Sequence, residues 1–146
     1  MNNEATIKLP PEAAPAFLLA GKALFTVVSK KTGAHFTYKL EEPKEARKPG
    51  QKPLFARVLV GGDSYKFVGT FWRDHMTFKP NPKMPPEVAE HPRVQALEYL
   101  FRKLEQGDLS SMEIMHHGRC GRCGRVLTHP ESIERGIGPE CMKAGM

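Results

Sequence analysis

Apolar and polar positions divide the chain into two regimes that meet near residue 80. In the first, Phe36, Tyr38 and Leu40 alternate with Thr37 and Lys39, the period-two pattern of a strand with one buried face. A run rich in β-branched and aromatic types, Ala23 to Val28, precedes it across Ser29-Lys30-Lys31-Thr32-Gly33, so the two segments predict a β-hairpin. A second hairpin is expected from Leu54 to Val60 and Tyr65 to Trp72, because Gly61-Gly62-Asp63 supplies the positive φ that a tight turn demands. A turn at Asp74-His75 leads into Met76-Thr77-Phe78, giving about five antiparallel strands in all.

Beyond residue 80 the period changes. Pro80-Asn81-Pro82-Lys83-Met84-Pro85-Pro86 reads as a stiff extended connector, since proline fixes φ and removes a donor. Val94, Leu97, Leu100, Phe101 and Leu104 then recur at three- and four-residue steps, with Pro92 at the start and Gly107 as the stop. This stripe predicts an amphipathic helix packed on the sheet. At the other end, residues 1–10 are polar and expected to fray, and Pro11 to Gly21 reads as a short helix. Glu41 to Pro53 holds prolines and mixed charges and predicts a surface loop.

The expected fold class is α+β: a twisted antiparallel sheet, one major packed helix and a small C-terminal lobe. The corresponding division is a β-rich domain over 1–80 with an N-terminal helix, the connector and amphipathic helix over 81–110, and a zinc-binding module over 111–146.

Composition adds little to the fold but narrows the partners. Lys plus Arg is 22 against 16 for Asp plus Glu, a net charge of +6, which favours anionic partners and nucleic acid first among them. No apolar run approaches the roughly 18 residues of a membrane span. Met1-Asn2-Asn3-Glu4 lacks the charged start and apolar core of a secretory signal, so a cytoplasmic location is expected, with no membrane partner.

All three cysteines lie near the C-terminus, Cys120 and Cys123 as a C-x2-C pair and Cys141 further on. A C-x2-C turn flanked by glycines lets two sulfurs converge on one tetrahedral Zn2+ at roughly 2.3 Å each. Simple buried cysteines would sit among apolar residues, whereas these are surrounded by Gly121, Arg122, Gly124 and Arg125. A thioredoxin-like redox pair would need a βαβ setting, which the pattern lacks. Between the ligands, Arg125-Val126-Leu127 predicts a short strand. Thr128 to Arg135 predicts a short helix with Pro130 at its first position and Gly136 as its stop. Gly138-Pro139 would open a last helical turn carrying Cys141, where the helix dipole stabilises a thiolate. The expected arrangement resembles a treble-clef zinc unit. The fourth ligand is open between His116, His117, His129 and water; strand parity with Cys120 favours His116.

The run Gly118 to Thr128, with Pro130 to Cys141, resembles a short cysteine-containing domain of unknown function found in phage and bacterial proteins, sometimes appended to helicase-like proteins. Phe17 to Ala23 and Phe25 to Gly33 also resemble small phage proteins that end in this domain. The resemblance implies zinc binding at Cys120, Cys123 and Cys141 and carries no activity with it.

An enzyme is not expected. A zinc deaminase would need H-x-E or C-x-E with P-C-x-x-C, and neither cysteine of the pair follows a proline. A phosphate loop and an H-E-x-x-H helix are also missing, and no small-molecule substrate is inferred. Nucleic acid, DNA or RNA, is the leading partner. Arg119, Arg122, Arg125, Arg135 and Lys143 cluster around the cysteines, and Lys30, Lys31, Lys44, Arg47, Lys48 and Lys52 decorate loops. The alternative for Arg122 and Arg125 is purely structural, as braces of the knuckle. Tyr38, Tyr65, Phe67, Phe71 and Trp72 would stack bases if they faced outward; the favoured expectation is that they form the core. The competing class is a phage inhibitor of a host defence protein, of anti-CRISPR or anti-nuclease type, acting by protein contact.

Overall fold

The computed structural model describes residues 7–43 and 53–139. Among these, seven strands form one antiparallel open sheet in the order β1-β7-β2-β3-β4-β5-β6. In chain order the elements are β1 (Ile7–Lys8), α1 (Ala14–Leu18), β2 (Lys22–Ser29), β3 (His35–Glu41), β4 (Pro53–Gly61), β5 (Ser64–Trp72) and β6 (Thr77–Pro80). They are followed by α2 (Pro86–Ala89), α3 (Pro92–Gln106), β7 (Met112–His116) and α4 (Pro130–Arg135). The fold is therefore α+β, with one major helix and a small helical C-terminal region. No helix among the described residues is long and apolar enough to cross a membrane.

Both expected hairpins form. Phe25 pairs with Tyr38 and Ala23 with Leu40, and these alternate residues are buried. One residue further on, Leu24 pairs with Lys39 on the opposite face. The amphipathic helix is α3, whose Val94, Leu97, Leu100, Phe101 and Leu104 are buried. Its start is held by His91, whose ring Nδ1 accepts from the Arg93 amide at 3.1 Å, and its end by Gly107 at φ 75°. Phe101 stacks on Phe71 with centroids 4.4 Å apart and lies 4.9 Å from Phe78. Tyr38 donates its hydroxyl to the Arg93 carbonyl at 2.5 Å, which ties β3 to the first turn of α3.

Four expectations change. Residues 7–9 are not frayed, since Ile7 and Lys8 pair with His116 and Met115 and Leu9 is buried. The N-terminal helix is shorter than 11–21, because Pro15 has no amide to donate and leaves only one turn. The proline connector runs into a four-residue helix, α2, which begins at its last residue, Pro86. Most consequentially, Met112–His116, expected at the start of the C-terminal module, is a strand inside the sheet between β1 and β2. Residues 44–52 of the expected surface loop, with Lys44, Arg47, Lys48 and Lys52, lie outside the described residues.

The sheet aromatics divide between its two faces. Tyr38 and Phe71 are fully buried against α3, whereas Tyr65, Phe67 and Trp72 are on the opposite face and only partly covered. Phe67 and Phe71 have the same parity along β5, so a regular strand would put both on one face. A β-bulge separates them: Gly69 pairs with Ala56 but Phe67 pairs with Arg57, leaving Val68 as the extra residue.

Candidate functional site

Strand β7 delivers the chain to the cysteine region. Gly118, at φ 78°, reverses it, and the segment comes back on itself as a miniature hairpin. The Leu127 amide donates to the Gly118 carbonyl at 2.8 Å, Arg119 bridges Val126, and the Cys120 amide donates to the Arg125 carbonyl at 2.8 Å. At the tip, the Gly124 amide returns to the Cys120 carbonyl at 2.9 Å, a turn that requires Gly124 at φ 81°. Cys120 opens this turn, and Cys123 immediately precedes the glycine that closes it.

The Cys120 sulfur is buried and receives two backbone amides, from Arg122 at 3.4 Å and Gly138 at 3.3 Å. Amides aimed at sulfur stabilise its anionic form. The second comes from eighteen residues away, across α4, so the fold itself brings the 136–139 segment against Cys120. Helix α4 has the predicted punctuation: His129 as cap residue, Pro130 in the first turn and Gly136 at φ 78° as the stop. Cys123 is exposed. Cys120, Cys123, Leu127, His129, Ser132 and Gly138 border a shared cleft of about 420 Å³. Among the described residues, no three of His, Cys, Asp and Glu come together to hold a metal. Cys141 and Lys143 lie outside the described residues.

His116, the ligand that strand parity favours, is held by the backbone on the inner face of β7. Residues 116 and 120 do point inward, but the inward side of β7 is the hydrophobic core: His116 pairs with Phe25, and its ring lies 5.6 Å from that of Phe17. Both ring nitrogens are engaged by the backbone. Nδ1 accepts from the Gly118 amide at 3.0 Å, which makes Nε2 the donor to the Ile133 carbonyl at 2.6 Å. Burial pushes its pKa below the ordinary value, although the bond to Ile133 opposes this. Both nitrogens are occupied by backbone groups in this arrangement, so a metal at His116 would have to displace one of these bonds. His117 is half-buried, with its pKa lowered by burial and by neighbouring His116, and its Nε2 has no hydrogen-bond partner. His129 shares the cleft with both cysteines.

The region is welded to the N-terminal part of the chain. Gly121 accepts from the Lys22 amide at 2.6 Å and donates to the Gly136 carbonyl at 2.8 Å. Phe17 fills the space that these two glycines leave: a Cβ on Gly121 would lie 2.7 Å from its ring, and one on Gly136 2.5 Å.

Arg119, Arg122 and Arg125 are exposed around the knuckle. Arg119 also braces it, donating to the Gly124 carbonyl at 3.2 Å. Arg135 is half-buried and stands 4.0 Å from Glu131 one turn earlier. Lys22, at the start of β2, joins this basic group: a Cβ on Gly124 would lie 3.3 Å from its Cδ. Nothing in the sequence pairs residue 22 with residue 124; only the register of β2 and the Gly121 bond do so.

No curated protein and no solved structure matches the chain significantly. From the first residue of β7 through the cysteine knuckle and α4, residues 112–144 match the model of a family of unknown function, DUF6011.

Proposed function

We propose that this protein binds nucleic acid, and that its C-terminal knuckle is a structural Zn2+ site that holds a basic surface in place. The zinc would be held by Cys120, Cys123 and Cys141. The fourth position falls to His129, the one candidate histidine that shares a cleft with both cysteines of the turn, or to water. The observation that carries the metal reading is the pair of amides on the Cys120 sulfur, since such bonds favour the thiolate a metal requires. The partner reading rests on four cations, Lys22, Arg119, Arg122 and Arg125, gathered on a hydrogen-bonded scaffold where phosphates are accessible.

Val126, 64 % exposed at the rim of the same cleft, favours a second reading, capture of a host defence protein. A salt-titrated binding curve on short oligonucleotides, with zinc measured on the same samples, separates the two. Under the first reading the triple Arg119→Ala, Arg122→Ala, Arg125→Ala variant keeps its zinc and weakens binding to all sequences alike. Its slope of log K against log salt falls by about one unit per lost contact. Failure of the wild type to bind more tightly than about 10⁻⁴ M at low salt, the weak end of non-specific affinity, ends the nucleic-acid reading. Less than about a tenth of an equivalent of zinc after reducing, metal-replete preparation ends the metal reading, given how tightly structural zinc is held.

A further inference from the structure

The face of the sheet turned away from α3 carries chemistry that the knuckle does not use. Cross-strand register places Phe55, Phe67, Tyr65 and Trp72 together on it, through the pairs Phe55 with Thr70, Arg57 with Phe67, Leu59 with Tyr65 and Pro53 with Trp72. The rings are not closed into a core. Phe67 is 37 % exposed and meets Phe55 edge-on at 5.7 Å, while Tyr65 and Trp72 are half-buried. The helices are engaged elsewhere: α3 covers Tyr38 and Phe71, and Phe17 of α1 meets His116.

The same register sets five strand cations on this face, Lys8, Lys22, Lys39, Arg57 and Lys79, against two carboxylates, Glu41 and Glu113. Both carboxylates are ion-paired, Glu41 with Arg57 at 2.9 Å and Glu113 with Lys8 at 3.0 Å. Lys22, Lys39 and Lys79 are the surplus. Lys39 lies 4.2 Å over the Tyr65 ring and Arg57 5.9 Å from that of Phe55, so cations are interleaved with the rings. Lys22 also touches the knuckle turn, which makes this face continuous with the exposed arginines.

We infer that this face is a platform for single-stranded nucleic acid, with bases stacked on Phe67, Tyr65 and Trp72 and phosphates drawn to Lys39, Lys79 and Lys22. The inference rests on the nucleic-acid reading above and adds the strand state of the ligand. Unpaired bases can present their ring faces to aromatic side chains, and such stacking tolerates any sequence. A duplex keeps its bases stacked on one another and offers this face only phosphates.

The test uses the full chain with a fluorescent oligodeoxythymidine strand and a duplex of equal length. The protein contains one tryptophan, and it stands on this face, so its own emission reports contact. The platform predicts tighter binding of the single strand and quenching of Trp72 as it saturates. Phe67→Ala should lower single-strand affinity by at least about fivefold, the low end of what one base–aromatic stack contributes. Phe67→Tyr should restore it, which a mere folding defect in the alanine variant would not predict. Equal affinity for both forms with Phe67→Ala silent overturns the platform; if the arginine variant still weakens binding, the nucleic-acid reading survives. Binding of neither form overturns both. Capture of a protein that Phe67→Ala abolishes, without oligonucleotide binding, makes the face a protein interface and also overturns the inference.

Discussion

Replacing His116 by leucine separates a structural histidine from a metal ligand. Leucine retains an apolar body beside Phe17 but removes both ring nitrogens, leaving the Gly118 amide and the Ile133 carbonyl without the partners they have at 3.0 and 2.6 Å. A fully buried group left unsatisfied costs about 1–3 kcal/mol; both bonds are part-buried, so the variant should lose about 2 kcal/mol, at the low end for two groups. Against the ordinary domain stability of about 5–15 kcal/mol, that is a large fraction. Urea unfolding followed by Trp72 fluorescence measures the loss, and metal analysis of the same sample should find zinc unchanged. A pH series adds a second signature. The folded-state pKa of His116 is depressed, so the unfolded chain binds the proton more readily. Its contribution to stability is complete above the unfolded value of about 6.5 and is lost as pH falls below it toward the depressed folded value. The loss is at most about 1.4 kcal/mol per pH unit. His117 titrates in the same direction, so the His116 share is the difference in slope between wild type and His116→Leu from pH 7.5 to 5.5. A destabilisation below about 1 kcal/mol, the worth of a single ordinary hydrogen bond, would refute the assignment. So would loss of zinc with the sheet intact, which would return His116 to the metal.

Other consequences are open to measurement. Gly121→Ala and Gly136→Ala each drive a methyl group into Phe17 and should destabilise by about 1–3 kcal/mol, as overpacking does, with Gly136 also strained by its positive φ. Phe17→Leu should recover part of the loss at Gly121, and a double-mutant cycle that proves additive would show that the contact is not the cause. Tyr38→Phe removes the hydroxyl bonded to the Arg93 carbonyl and should cost about 1 kcal/mol; an unchanged urea midpoint would mean that the bond does not anchor α3. Chelation, or Cys120→Ser, should loosen the 118–139 region before the sheet, and hydrogen exchange that shows both opening together would contradict this order.

Periodicity along the chain was enough to specify β2 to β6 and α3. Alternation in β3, β-branched and aromatic composition in β2, the Gly61-Gly62-Asp63 turn between β4 and β5 and the helical stripe of α3 are all local signals. The ends of α3 and α4 were likewise readable, because Pro92, Gly107, Pro130 and Gly136 act on φ and on amide donors within a single turn. The C-x2-C-G turn belongs to the same class, since its geometry is local to residues 120–124. Long-range pairing decided the rest. A two-residue strand such as Ile7–Lys8 exists only because β7 offers it partners, and β7 is itself placed by β2. That placement puts His116 in the core opposite Phe25 and brings Lys22 to the knuckle. The bulge at Val68 turns Phe67 outward and Phe71 inward although both share one parity, so which aromatics are core and which are surface was a property of the assembled sheet. A register is a relation between two segments, and neither segment contains it alone.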